Sequence, residues 1–538
     1  MEKYLKKYYR LFFLAVAVLL LYPTLQRGYI FLLDWMVEPN IAFSDINLLS
    51  DSIGWITYKF LAIVFSFAVF QKILLFAIVY FLGLAGFRLA KRTRNIYAQY
   101  FAGLFFIFNP FIYARLVEQI NVIVGSVLFL WFLVYFLEYL EEDVLKKLVW
   151  SAILAALAIS FFPHCAFLVA ATFLVLVISN FISKKDWKLI FKTALIFGAI
   201  VISLNSNWLF SFSQNRGDLA VVENFSQADW KSFETSSIGG DSVYTTVLAL
   251  QGYWGEYQDR FVSIRENPLW SPAFLLIFAL SVFGAIKLWK KDPHAKPLIF
   301  LFFIAYILAI GISSPITKPL SVFLYNYLPF YTGLREPQKW VIVLVFVYAY
   351  LGGWGIKYLL ETKKFKDYRT EIGIFCAILP IIFSFSAIQG MREHFTPQEF
   401  PVEWQGAKNF LKENPTDGKI LFLPWHSYME FSFAGKNIIN PAQSFFGKNI
   451  IVGNNTEFGP VYSHYSDPRT LAIEKYMPRK NNPSEKINYA DFISDMEKFK
   501  IQKIILAKDE DWQKYAWLDT IQTTKVLENN KLKIYDLQ

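Results

Sequence analysis

The sequence predicts an all-α polytopic membrane domain followed by a small extracytoplasmic α/β domain. Hydrophobic residues make up 55% of the 538 residues and charged residues only 18%, which is less charge than a soluble chain of this length carries. The apolar residues fall in blocks of roughly 17–25, each long enough to cross about 30 Å of hydrocarbon as a helix. Beyond residue 392 the composition turns polar. We therefore place the membrane domain at 1–392 and the second domain at 393–538.

Eleven apolar blocks are expected to be membrane-spanning helices, and an odd number of spans puts the two termini on opposite sides of the membrane. The first span follows a basic start and has no small-residue cleavage site after it, so we interpret it as a retained signal anchor. The predicted spans are 8–26, 69–90, 96–114, 121–140, 147–162, 165–183, 189–208, 271–289, 297–314, 338–359 and 371–390.

Basic residues give the orientation of these spans in the plasma membrane. The net charge is +10, and the lysines and arginines cluster in short loops between apolar blocks, such as KRTR at 91–94. Loops of this kind stay in the cytoplasm. The N-terminus is therefore predicted to be cytoplasmic and the C-terminal domain extracytoplasmic. We find no basic patch with interleaved aromatic residues, so nucleic acid is not an expected partner.

The polar residues concentrate on the predicted outer side, in two long loops and the tail. The loops cover 27–68 and 209–270. The tail alternates four strand-like segments, KILFLP, KIILA, TKVLE and KLKIYDL, with amphipathic segments such as VEWQGAKNFLKE. This alternation predicts the α/β domain. The two cysteines lie in apolar segments, so no disulfide framework is expected.

Two carboxylates in the first outer loop are candidate catalytic groups. Asp34 lies in FLLDWM and is flanked by apolar residues, and Glu38 follows four residues later. A carboxylate in apolar surroundings can have a raised pKa and act as a base. The alternative is a pair of solvated loop acids. Pro39 favours an extended Glu38, so a shared helical face is not assured.

Cationic residues at the outer ends of two helices could bind phosphate. Arg335 and Lys339 lie in GLREPQKW, on the side where the positive-inside rule disfavours them. Arg115 follows the helix-breaking Asn109–Pro110 pair. Arginine presents a bidentate fork to phosphate and lysine a point charge. Glu336 could instead neutralise these cations in a simple ion pair, and Lys339 could be an interfacial anchor.

Four further residues are candidates for contact with a substrate. His164 lies in the outer turn FFPHCAF, Asn207 and Trp208 end a helix in LNSNWLF, and Trp254 lies in LQGYW. Aromatic rings stack on sugars. A structural histidine and an interfacial aromatic belt are the alternatives. The motifs GxxxxGK[ST], HExxH and CxxC are absent, so ATP hydrolysis and zinc chemistry have no support.

These motifs, in this order and on one predicted side, resemble those of the GT-C superfamily of integral-membrane glycosyltransferases. The resemblance covers about residues 1–390 and rests on GYIFLLDWMVEPN, NPFIYAR, LNSNWLF, LQGYW and FYTGLREPQKW. It extends distantly to arabinofuranosyltransferases and to membrane proteins that glycosylate lipoteichoic acid.

The resemblance implies an inverting sugar transfer from a polyprenyl-phosphate donor to an extracytoplasmic acceptor, a cell-envelope glycan, glycolipid or glycoprotein. Asp34 would be the general base, with Glu38 in reserve. Arg335, Lys339 and Arg115 would bind the donor phosphate. Many family members carry two adjacent acids in the first loop, whereas Trp35 follows Asp34 here. This departure weakens the case for a divalent cation, magnesium or manganese, as a cofactor.

Two other functions fit the same sequence. A flippase or transporter of lipid-linked sugars would place charged or broken helices near the middle of the bilayer, where the predicted spans carry few such residues. A non-catalytic envelope assembly protein would use the tail to bind a partner. The concentration of polar groups on one side favours catalysis at the membrane surface over transport.

Overall fold

A computed structural model gives the fold of the chain. It describes residues 2–214, 227–458, 461–463, 468–478, 489, 491–521 and 523–537. Part of the predicted second outer loop, 215–226, lies outside the described residues.

The described part of the chain is mainly helical, as predicted. The helices are α1 (Glu2–Leu21), α2 (Ile53–Phe65), α3 (Phe67–Leu89), α4 (Ile96–Ile107), α5 (Pro110–Glu118), α6 (Ile120–Glu142), α7 (Leu145–Phe161), α8 (Cys165–Lys184), α9 (Trp187–Gln214), α10 (Gln227–Ser232), α11 (Val243–Leu248), α12 (Trp254–Tyr257), α13 (Trp270–Leu288), α14 (Ala295–Ile310), α15 (Lys318–Tyr327), α16 (Val341–Leu360), α17 (Arg369–Phe383), α18 (Ser386–His394), α19 (Val402–Glu413), α20 (Ala442–Phe446), α21 (Pro468–Glu474) and α22 (Phe492–Lys498).

Within the described residues, nine helices are long and apolar enough to cross a membrane, and ten if the bent pair α17 and α18 is one span. The two helices of that pair meet at 48°. Helix α7 occupies the predicted fifth span with 17 residues, which is at the lower limit for crossing the hydrocarbon. The chain is therefore a multi-pass membrane protein, and the predicted fold class is confirmed.

The predicted break at Asn109–Pro110 separates α4 from α5. The Asn109 side chain accepts a hydrogen bond from the Ile112 amide at 3.0 Å, and its amide group donates to the Phe105 carbonyl at 2.7 Å. Pro110 takes the first helical position, where no backbone donor is needed. Asparagine and proline together end one helix and start the next. Helix α5 continues for nine further residues, longer than predicted.

Close packing of α13 against α16 depends on glycine. A side chain at Gly284 would collide with the backbone oxygen of Leu351, and one at Gly355 would collide with that of Leu280. Small residues let membrane helices approach closely where lipid offers no hydrophobic drive for association. These contacts fix the C-terminal half of α16, the helix whose start follows the predicted phosphate-binding residues.

The C-terminal part contains nine described strands, among them the four segments predicted from the tail. They are β1 (Lys419–Leu423), β2 (Tyr428–Phe431), β3 (Lys436–Ile439), β4 (Ile450–Ile451), β5 (Thr456–Phe458), β6 (Val461–Ser463), β7 (Ile501–Ala507), β8 (Thr523–Glu528) and β9 (Leu532–Leu537). The main sheet has the order β4-β1-β7-β9-β8. Its first three strands are parallel, and β9 runs antiparallel to β7 and β8. Hairpins β2–β3 and β5–β6 lie outside this sheet.

The chain divides into two compact units. The first comprises Met1–Leu25, Ile46–Phe60 and Lys72–Phe395, and the second comprises Gln26–Asp45, Leu61–Gln71 and Thr396–Gln538. The change at Phe395 lies close to the predicted boundary at 392. The loop segment 26–45, which carries Asp34 and Glu38, belongs with the C-terminal α/β part.

Hydrogen bonds tie this loop segment to the rest of the second unit. Tyr29 and Gln398 exchange two backbone hydrogen bonds of 2.8 Å. The Ile439 amide donates to the Leu33 carbonyl at 3.0 Å, and the Ser444 hydroxyl donates to the Val37 carbonyl at 2.6 Å. The segment therefore extends the fold of the α/β part.

Candidate functional site in the first unit

A cavity of about 660 Å³ opens in the first unit where four chain segments meet. The segments are distant in sequence: the stretch before α2, the turn from α7 to α8, the end of α9, and the stretch between α15 and α16. The lining residues are Ser50, Asp51, Ser52, Trp55, Ser160, Pro163, His164, Ala166, Phe167, Trp208, Leu209, Phe212, Phe330, Gly333, Arg335, Glu336 and Lys339. The cavity thus combines aromatic walls with charged groups.

Arg335 and Lys339 both line this cavity. The Arg335 guanidinium lies over the Phe233 ring at 4.5 Å and the Lys339 ammonium over the Phe162 ring at 5.1 Å. Lys339 is only 6% exposed. The aromatic faces support both cations and hold their heads at the cavity wall, where a phosphate could accept hydrogen bonds.

Glu336 lies between these cations and Arg115. One of its carboxylate oxygens lies 2.9 Å from Arg115 Nη1 and 3.8 Å from the Lys339 ammonium. Burial alone would raise the pKa of the Glu336 carboxyl, but Lys339, Arg115 and Arg335 outweigh it and hold the pKa at about 2. Glu336 is therefore an anion at neutral pH. Glu336 forms ion pairs with Arg115 and Lys339 at the wall of the cavity. Neutralisation of the cations by Glu336 was the alternative to phosphate binding in the sequence analysis.

Arg115 lies behind Glu336 and does not line the cavity. Its side chain is fully buried, and its guanidinium lies 4.0 Å from the Tyr253 ring centroid. It also donates a hydrogen bond to the Gln119 side chain. Arg115 therefore pairs with a residue of the cavity wall, Glu336, and is not itself in position to touch a bound anion.

His164 lines the cavity beside the two cations. Burial, together with the charges of Lys339 and Arg335, lowers the pKa of His164 well below its ordinary value, against an opposing effect of Glu336. Its ring packs on Phe162 with centroids 5.0 Å apart. The imidazole is therefore neutral and can offer hydrogen bonds without adding charge.

The two predicted residues at the end of α9 have different positions. The Trp208 ring lines the cavity, and its indole N–H donates to Asn205 at 2.8 Å. The Asn207 amide group donates to the Asp51 carbonyl oxygen at 2.6 Å. Trp208 thus offers a ring for stacking, whereas Asn207 holds the backbone of the segment that brings Asp51 to the cavity.

Asp51 is a cavity residue that was not among the predicted site residues. Its carboxylate accepts from the Asn47 amide at 2.9 Å and from the Lys59 ammonium at 2.7 Å. Ser52, its neighbour, donates to the Ser160 carbonyl at 2.8 Å. Asp51 belongs to the same first-loop acids as Asp34, but its surroundings in the sequence are polar. Only the fold shows that it lines the same cavity as Arg335 and Lys339.

Asp34 and Glu38 lie in the second unit. The Tyr428 hydroxyl donates to one oxygen of the partly buried Asp34 carboxylate at 3.0 Å. The Glu38 carbonyl accepts from the Ile41 amide at 3.3 Å, in the turn that contains Pro39. Asp34 therefore has the tyrosine partner and the apolar neighbours that would hold a carboxylate in one orientation.

Trp254 and the tail aromatics are packed inside their units. Trp254 is 7% exposed and its ring lies 5.8 Å from that of Phe233. In the tail, Trp404 and Trp425 are almost fully buried. His426 lies between Glu457 and Asp511, each 3.1 Å away. These side chains build the cores, and Trp254 does not line the cavity.

Metal binding gains no support from the described part of the chain. No group of three or more His, Cys, Asp or Glu side chains is placed there to hold a metal ion. Magnesium or manganese dependence stays a prediction.

Comparisons with solved structures identify the architecture. Arabinofuranosyltransferase AftD from Mycobacteria superposes at a TM-score of 0.61 with 13% identity, over 100% of this chain and 40% of AftD. Archaeal oligosaccharyltransferase AglB from Archaeoglobus fulgidus, determined with an inhibitory peptide and a dolichol-phosphate, gives 0.54 and 11%, over 93% of this chain and 70% of AglB. ArnT from Cupriavidus metallidurans gives 0.51 and 10%, over 98% and 97%. No protein-family model and no curated protein sequence matches the chain.

The chain therefore shares its fold with these three solved proteins, and the fold that the sequence resemblance implied is confirmed. It spans about two fifths of the length of AftD.

Proposed function

We propose that the chain is a membrane glycosyltransferase that takes a sugar from a polyprenyl-phosphate donor. The acceptor would be an extracytoplasmic glycan, glycolipid or glycoprotein, and the C-terminal unit would lie outside the cell membrane. The GT-C fold supports the reaction class. The observation that carries the proposal is the cavity in which Arg335 and Lys339 lie beside His164 and Trp208.

The chemistry of the cavity suits a phosphate leaving group. When the bond between sugar and phosphate breaks, negative charge develops on the phosphate, and cations already in position stabilise it. Glu336 keeps the two buried cations Arg115 and Lys339 compatible with the apolar surroundings. Aromatic rings such as Trp208 and Trp55 offer faces for a sugar or a prenyl chain.

The acceptor hydroxyl needs a base, and three first-loop carboxylates are candidates. Asp34 is the residue that the GT-C resemblance implies, with Glu38 in reserve. Asp51 is the first-loop carboxylate that lines the cavity. We propose Asp34 as the base of an inverting displacement and Asp51 as the alternative. General-base assistance is worth about 10²–10⁴-fold, so removing the correct carboxylate has a large effect.

A transfer assay with the purified chain in liposomes tests both points. The liposomes contain a panel of polyprenyl-phosphate sugars and an envelope-glycan extract as acceptor. We expect transfer by the native chain and a loss of about 10²-fold or more in Asp34→Asn. Asp51→Asn is the matched variant, and a larger loss there moves the role of base to Asp51. Normal transfer in both variants rejects first-loop base catalysis.

The same preparation distinguishes the two alternative functions. A flippase would move the lipid-linked sugar across the bilayer without forming a glycosylated product. An assembly protein would do neither. Release of polyprenyl phosphate coupled to glycosylation of the acceptor is the result that we expect. Movement of the donor without any product would replace our proposal by transport.

A further inference from the structure

The short helix α15, Lys318–Tyr327, connects two membrane spans and carries an apolar stripe that no described part of the chain covers. Leu320, Phe323 and Tyr327 are 43%, 56% and 73% exposed. Their spacing of three and four residues places them on one face of the helix. Lys318, which is also exposed, lies two residues before Leu320 and therefore points to the opposite side of the helix.

A separate face of α15 is packed against the first unit. Thr317, Ser321 and Tyr325 are buried, four residues apart. The Thr317 hydroxyl donates to the Gly311 carbonyl at 2.6 Å. Tyr325 stacks on Trp230 with centroids 4.6 Å apart. Because this face is fixed, the direction of the exposed stripe is fixed as well.

Chain connections keep α15 at the membrane boundary. Only four residues separate the preceding span, Ala295–Ser313, from Lys318, and only nine separate Tyr327 from the following span, Pro337–Leu360. An extended chain covers at most about 3.6 Å per residue. The helix therefore cannot move far from the surface where both spans end.

We propose that α15 lies in the lipid interface and buries Leu320, Phe323 and Tyr327 in the adjoining leaflet of the bilayer. An amphipathic helix with a compact apolar face and a lysine on the far side is the type that lies in the plane of a membrane surface. Tyr327 suits the level of the lipid head groups. The occupant of the stripe is lipid hydrocarbon.

The placement has a consequence for the cavity, because the chain passes from α15 directly into the cavity wall. Phe330 has a left-handed backbone conformation at φ 63°, which is uncommon for a bulky residue. Its ring is exposed, lines the cavity and approaches Phe212 at 6.3 Å. A membrane-embedded α15 sets this side of the cavity at the lipid surface. The position of α15 in the lipid interface follows from the fold and does not depend on the proposed activity.

Site-directed fluorescence quenching tests the proposal. Bimane is attached at Phe323→Cys or at the matched control Lys318→Cys in the full chain, reconstituted at one copy per nanodisc. The native Cys165 and Cys376 are buried, which keeps background labelling low. We expect lipids with a nitroxide near the head of the acyl chain to quench the 323 label at least about threefold more than the 318 label. Aqueous iodide should show the reverse order.

The same experiment can reject the proposal. Equal quenching by lipid at both positions would show that the stripe does not face the bilayer. A label at 323 that neither lipid nor iodide reaches would show that protein covers the stripe, and with one copy in each nanodisc that protein is this chain itself. Tyr327→Cys repeats the measurement if Phe323→Cys does not fold.

Discussion

Glu336 is the residue on which the proposed site depends most. It is the acid between two buried cations, and burial would favour its neutral form if those cations were absent. Because its pKa lies below the ordinary value, its contribution to folding is present above pH 4.5 and is lost as the pH falls toward about 2. At neutral pH the anion is therefore a permanent part of the site.

Glu336→Gln is expected to destabilise the chain strongly. Arg115 would keep its buried charge without a carboxylate partner, and breaking a buried ion pair in this way costs about 3–5 kcal/mol. Thermal unfolding in detergent measures the effect. Glu234→Gln is the control, because the partner of Glu234, Lys231, is exposed and such a pair contributes only about 0–1 kcal/mol. Equal unfolding temperatures for the two variants would contradict this interpretation of Glu336.

Residue types and their position in the chain were sufficient to single out Arg335, Lys339, His164 and Trp208 as candidates. That all four line one cavity is seen only in the fold. Cations on the disfavoured side of the membrane are a signal that the sequence carries. Asp51 was missed because nothing distinguishes it locally from a solvated loop acid. Arg115 was expected at the site itself, and the structure places it behind Glu336 because α5 extends beyond the Asn109–Pro110 break.

At the scale of elements, the long apolar helices were predictable and their packing was not. Blocks of 17–25 apolar residues predict spans whatever their neighbours are. Two helices approach closely where small residues of both lie at their contact, as Gly284 of α13 and Gly355 of α16 do. The sequence does not show which helices will be paired in this way. Of the tail strands, β1 and β7 were predictable because they are runs of mostly apolar residues, whereas β2 and β3 are only four residues long.

Gly284→Ala is expected to separate α13 from α16 and to destabilise the chain. The added methyl group would meet the Leu351 backbone oxygen, and such overpacking costs about 1–3 kcal/mol. Gly198→Ala in α9 is the matched control, since no atom lies within 4 Å of its added methyl group. Thermal unfolding of both variants in the same detergent checks this. If Gly284→Ala is as stable as Gly198→Ala, the close contact between these helices is wrong.

At the scale of the whole molecule, hydropathy and the polar tail were enough to predict the order of the parts: a polytopic membrane domain and then an α/β domain. The assignment of 26–45 to the second unit could not be predicted, because its partners, such as Tyr428 for Asp34, lie about four hundred residues away. The cavity could not be predicted from the sequence either. It forms from four segments that are joined only by the packing of the spans between them.

The central claim is that this cavity binds the phosphate of a lipid-linked donor, and binding of polyprenyl monophosphate tests it without knowledge of the sugar. Affinity is measured by displacement of a fluorescent polyprenyl phosphate from the purified chain in nanodiscs. Losing one charged hydrogen-bond donor costs about 1.5–3 kcal/mol. We therefore predict about 10–100-fold weaker binding in Arg335→Ala and unchanged binding in the control Arg369→Ala, whose arginine is exposed and does not line the cavity. Native affinity in both Arg335→Ala and Lys339→Ala would contradict the account.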